Sequence, residues 1–73
     1  MSDISYLKTL ADNEGHYSNV LERAVQSLYN DADLASSMRD YERAGELSNE
    51  ADAVFAAMMG IQELAELKQK GKL

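Results

Sequence analysis

The sequence contains no cysteine, no proline and no tryptophan, and its one phenylalanine and four tyrosines make aromatics only 7% of 73 residues. Without cysteine there is no disulfide to staple a small core. A chain of this length buries only about 60% of the surface its unfolded form exposes, so its core is marginal unless a metal or a partner adds to it. Most enzyme architectures are excluded by size alone. β-branched residues are also scarce, with three Val, two Ile and one Thr, which makes strand propensity weak throughout. Positive charge is sparse up to residue 67, where four Lys/Arg face thirteen Asp/Glu; the remaining cations are Lys68, Lys70 and Lys72. So acidic a body repels nucleic acid and anionic lipid, because phosphate binding needs a concentrated basic footprint. Long apolar runs are missing too. The longest, Ala53 to Ile61, is nine residues, about half of the roughly 20 that a membrane helix needs. The opening Met-Ser-Asp has an acid where a signal peptide has a basic region, and no apolar segment follows it. These features predict one soluble, cytoplasmic domain over residues 1–73.

What is present is helix-forming. Ten of the 33 apolar residues are Ala, the best helix former but a poor filler of cores. Leu7, Leu10, Tyr17, Leu21, Ala24 and Leu28 recur at helical spacing and share one face, predicting a helix over about 3–30. Within it, Asp12 to His16 interrupts the pattern: Glu14 falls on the apolar stripe and Gly15 costs about 1 kcal/mol relative to Ala in a helix interior. A kink or break near Gly15 is expected, splitting a short leading helix from the main one at about 17–30. Asn30-Asp31-Ala32-Asp33 is the one cluster of turn formers, placing a turn at about 30–35, with Asp33, Ser36 or Ser37 as the following cap. The second helix is predicted over about 35–67, with Leu47, Ala51, Val54, Met58, Ile61 and Ala65 on one stripe and Glu66 paired with Lys70; residues 68–73 are expected to fray. The fold class is thus all-α, an antiparallel two-helix hairpin.

Adding Tyr41, Phe55 and Met59 widens the apolar arc of the second helix to roughly 160°, whereas one neighbouring helix covers about 100°. The run Val54-Phe55-Ala56-Ala57-Met58-Met59 is apolar on nearly every side, more than two helices can enclose. Met and aromatic residues are enriched in interface cores, and Met repacks against differing surfaces. A partner-binding face is therefore expected around Phe55, Met58 and Met59.

No catalytic, metal or cofactor-binding residues are expected. His16 is the only imidazole, with no cysteine or second histidine to complete a zinc shell. Ser18 is two residues away, and side chains at that spacing do not face each other on a helix. Asp31 and Asp33 start a calcium-loop spacing, but the third acid and the central Gly are absent. Glu42, Glu46 and Glu50 recur every four residues, without the Glu-x-x-His pairs of di-iron bundles; they suit a solvated acidic face that, with Asp52, rims the partner surface. Tyr6, Tyr17, Tyr29 and Tyr41 are dispersed and lack the basic neighbours of a base-stacking platform.

The segment Leu21-Glu22-Arg23-Ala24-Val25-Gln26-Ser27-Leu28, a short polar turn with Asp, then Tyr41, Ser48 and Ala51-Asp52-Ala53-Val54-Phe55-Ala56-Ala57-Met58 resemble the small E-type co-chaperones of type III secretion needle proteins. The resemblance covers most of the chain. It implies a helical hairpin that packs against a helical-repeat chaperone, the pair keeping the needle subunit unpolymerised before export. By position, Val54, Phe55, Met58 and Ile61, with Leu21, Val25 and Leu28, would face the hairpin seam or the repeat chaperone.

Two other functions fit parts of the pattern. Needle subunits are also small helical hairpins, but this chain lacks their turn Pro and early Trp and ends in Lys68-Gln69-Lys70-Gly71-Lys72-Leu73 rather than an apolar tail. A homodimeric four-helix bundle with a structural or RNA-regulatory role would close the same arc by an isologous contact, although only Lys8, Arg23, Arg39 and Arg43 are available for a basic groove.

Overall fold

Helix propensity wins along almost the entire chain. The computed structural model describes residues 3–73, and side chains from Ser5 onward; Met1 and Ser2, at the start where no signal peptide is expected, lie outside the described residues. Among the described residues there are three helices and no strand: α1 (Asp3–Asp12), α2 (Glu14–Ser37) and α3 (Tyr41–Gln69). The fold is all-α as expected, but with three helices rather than two.

The interruption is a single residue, Asn13, not Gly15. Asn13 has φ −109° and ψ 25°. Its backbone N–H (3.2 Å) and its side-chain amide (2.9 Å) both donate to the Thr9 carbonyl. That competition from a short polar side chain for a backbone acceptor is what makes Asn a poor interior helix residue. Gly15 is helical, exposed and has open space where a Cβ would project. The main helix therefore begins at Glu14 rather than 17.

The turn is also displaced. Asn30, Asp31 and Asp33 lie within α2 on its exposed side, while Ala32 between them is buried. Their intrinsic cost in a helix is a few tenths of a kcal/mol each, and Ala32 and Ala35 packing against Leu47 favours carrying the helix through. Ser37 caps nothing; its hydroxyl donates back to the Asp33 carbonyl at 3.0 Å. The chain reverses at Met38-Arg39-Asp40. Arg39 takes φ +62°, its N–H donates to Ser36 O (2.9 Å), and the Asp40 N–H donates to Ala35 O (2.8 Å), the paired bonds of a Schellman motif. Asp40 then serves as N-cap of α3, its carboxylate accepting from the Arg43 N–H at 3.2 Å.

The end of α3 is closed in the same way. Gly71 adopts φ +74°, with Gly71 N–H to Lys68 O (3.0 Å) and Lys72 N–H to Leu67 O (2.9 Å). The segment expected to fray is thus a capped helix terminus. Lys68 bonds Asp12 at the end of α1, and Lys70 meets Glu66 through its backbone N–H, at 3.1 Å.

Cross-links step away from the turn in antiparallel order: Tyr29 to Asp52, Ser18 to Gln62, Asp12 to Lys68. One arm is therefore α1 followed by α2, and the other is α3. The 49 Å long axis is close to the roughly 52 Å that residues 3–37 would span as continuous helix at 1.5 Å per residue. The seam between the arms holds Ala11, Val25, Ala32, Ala35, Leu47, Ala51 and Met58 as its buried residues, and among the described residues no large side chain is fully buried. The radius of gyration is 15.6 Å, against about 11 Å for a compact domain of this length. Accessible surface is 5252 Å², against about 4,500 Å² for a compact monomer of this mass. Two arms lying side by side leave each helix with one covered face and two open flanks.

Candidate protein-binding face

The nine residues expected at the partner surface separate into three groups. Val25 and Met58 are buried in the seam. Leu21, Leu28, Val54 and Ile61 are half-buried beside it. Phe55 (46% exposed), Met59 (43%) and Tyr41 (67%) stand in the open. Helix periodicity accounts for the division. At about 100° per residue, Phe55 and Met59 fall on the side of α3 carrying Asp52 and Gln62, whereas Val54 and Ile61 fall on the other side of the seam.

Two cross-arm contacts mark the flank that includes Phe55. The Tyr29 hydroxyl donates to the Asp52 carboxylate at 2.7 Å, and the Gln62 side-chain amide approaches the Ser18 hydroxyl at 3.5 Å. Between them lies the row Asp52, Phe55, Met59, Gln62, with the rings of Tyr29 and Phe55 and the Met59 thioether as its apolar part. Tyr41 belongs to the same row, about 21 Å from Phe55 along the helix axis. The Asp52 carboxylate raises the Tyr29 phenol above its ordinary value, first by accepting its hydrogen bond; loss of hydration and the carboxylate's charge act in the same direction.

The acids expected to rim this face are mostly elsewhere. Glu42, Glu46 and Glu50 are exposed, but helical spacing turns them away from Phe55, and Glu46 is engaged with Arg43 at 3.9 Å. Asp52 alone of that set borders Phe55.

A second apolar surface was hidden in the sequence by the misplaced turn. Leu34 (61% exposed) and Met38 (72%) are one helical turn apart at the end of α2. They border an open groove of about 460 Å³ lined also by Asp31, Ala35, Asp40, Arg43 and Leu47. Their four-residue spacing is the signal that would have found them, had helix been continued past residue 33.

His16 is exposed, with its ring against that of Tyr17, centroids 5.6 Å apart. Among the described residues no three His, Asp or Glu side chains converge as a metal site, and no helix is long and apolar enough to cross a membrane. The Ser18 hydroxyl donates to Glu14 at 2.8 Å, one helical turn back, rather than meeting His16. In comparisons with known proteins the chain matches no family model, no curated protein and no solved structure.

Proposed function

We propose that the chain is a non-enzymatic binding module of the bacterial cytoplasm, acting as a co-chaperone. In this role it stabilises a helical-repeat chaperone and helps keep a type III secretion needle subunit from polymerising. The observation that carries the binding role is the open apolar row of Phe55 and Met59, flanked by Tyr29, on a body with no second layer to cover it. The secretion assignment adds the resemblance of the Leu21–Leu28 and Ala51–Met58 segments to E-type co-chaperones. Mass action supplies the mechanism: a ligand that binds only the folded form stabilises it, so partner and module protect each other. Self-association into a four-helix bundle is the competing way to cover the row, and light scattering on the isolated chain separates the two.

The test is co-purification from the native cytoplasm. Phe55→Asp is expected to abolish partner retention while far-ultraviolet circular dichroism remains strongly helical, since Phe55 is nearly half exposed. Retention of the partner by a folded Phe55→Asp chain would overturn the assignment. A needle subunit, in contrast, would elongate into filaments on a sizing column.

A further inference from the structure

The charges along the Phe55 flank are of one sign as far as Glu66, one helical turn before Lys70 on the same side of α3. The row on α2 marked by Ser18 and Tyr29 includes Glu22 and Asp33 at steps of four residues, and the row on α3 continues through Asp52 and Met59 to Glu63 and Glu66; all five acids are exposed. Between Ser18 and Glu66 neither row contains a Lys or Arg. Arg43 faces the opposite flank, where it lines the groove beside Leu34, and Lys68 is taken by Asp12 at the far end.

Resting on the binding role proposed above, we infer that this flank receives a basic amphipathic helix of another protein, its apolar side seated on Phe55 and Met59 and its Lys/Arg rows set against these five carboxylates. Charge decides the occupant. A second copy presenting the same flank would bring five acids against five, and like charges across an interface are a strong element of discrimination. A helix with cations beside its apolar stripe meets opposite charge along both edges, the helix-in-groove mode of recognition. The partner's identity thus reduces to a pattern: apolar residues at i, i+3 or i+4, and i+7, bordered by Lys or Arg.

Two synthetic helical peptides with the same Leu face, one flanked by Lys and one by Glu, test this against the full chain by fluorescence anisotropy. The Lys-flanked peptide is expected to bind about tenfold tighter or more, and to lose that advantage as salt shrinks the screening length from about 10 Å at 0.1 M to about 3 Å at 1 M. The triple variant Glu22→Lys, Asp33→Lys, Glu66→Lys, which leaves the Tyr29–Asp52 bond untouched, is expected to reverse the preference. Equal binding of both peptides, abolished by Phe55→Asp, would overturn the basic-helix proposal and leave the binding module standing. Binding of neither peptide would also overturn it. If, in addition, the Phe55→Asp chain kept its cellular partner, the binding-module reading would fall as well.

Discussion

Arg39 and Asp40 determine where the chain reverses. Arg39 holds the left-handed conformation without glycine's freedom, which costs a residue with a Cβ about 1–2 kcal/mol. Arg39→Gly is therefore expected to stabilise the protein by about 1 kcal/mol, read as a rise in the urea midpoint at unchanged m-value. Asp40→Ala should act oppositely, costing about 1 kcal/mol by removing the cap on the Arg43 N–H. Tyr29 provides a pH signature. Its phenol is held above the ordinary value of about 10 mainly by the hydrogen bond to Asp52, so folding favours the protonated form. That contribution is complete below the ordinary value and is lost as pH rises through the raised one. Spectrophotometric titration should show Tyr29 ionising late, and Asp52→Asn should bring it back toward the ordinary range.

At the scale of elements, α1 is the weakest unit. Ala11 is its one buried residue among those described, from Ser5 onward, and its tie to α3 through Asp12 and Lys68 joins two half-exposed side chains, a kind of pair that contributes about 0–1 kcal/mol. Hydrogen exchange is expected to be fastest in α1 and slowest in the second half of α2 and the first half of α3, where the Leu47 cluster packs. Gly15→Ala should lengthen the protection of α2 and add up to about 1 kcal/mol, because nothing occupies the space its methyl would take.

The helical class, the Asp12–His16 interruption and the excess apolar arc of the second helix were all legible from spacing, because the 3.6-residue period appears directly in Leu21, Ala24, Leu28 and in Leu47, Ala51, Val54, Met58. The turn was not legible. Asn30, Asp31 and Asp33 have the composition of a turn but occupy a solvated helix face. The real reversal rests on an Arg in a conformation usually assigned to Gly, so local propensity pointed to the wrong place. That error also concealed Leu34 and Met38. The acidic rim is misplaced for a different reason: Glu42, Glu46 and Glu50 form a regular series in sequence, but at about 100° per residue that series lies on the side of α3 away from Phe55.

For the whole molecule, the small seam limits stability. At about 0.05–0.15 kcal/mol per residue, a chain of this size has roughly 4–11 kcal/mol in total. Leu47, 5% exposed and at the centre of the Ala32/Ala35 cluster, should cost about 2–5 kcal/mol when cut to Ala, enough to leave the isolated chain close to its unfolding threshold at 37 °C, from which the proposed partner would rescue it. The same shape that keeps the seam small leaves the Phe55 row uncovered. The central claim, that this row is where a different protein binds, is tested most directly by photocrosslinking in the native cell with a photoreactive phenylalanine analogue placed in turn at 55, 59, 46 and 50. Positions 55 and 59 are predicted to give one and the same heterologous adduct while 46 and 50 give none; adducts at 46 or 50 with silence at 55 would contradict the account.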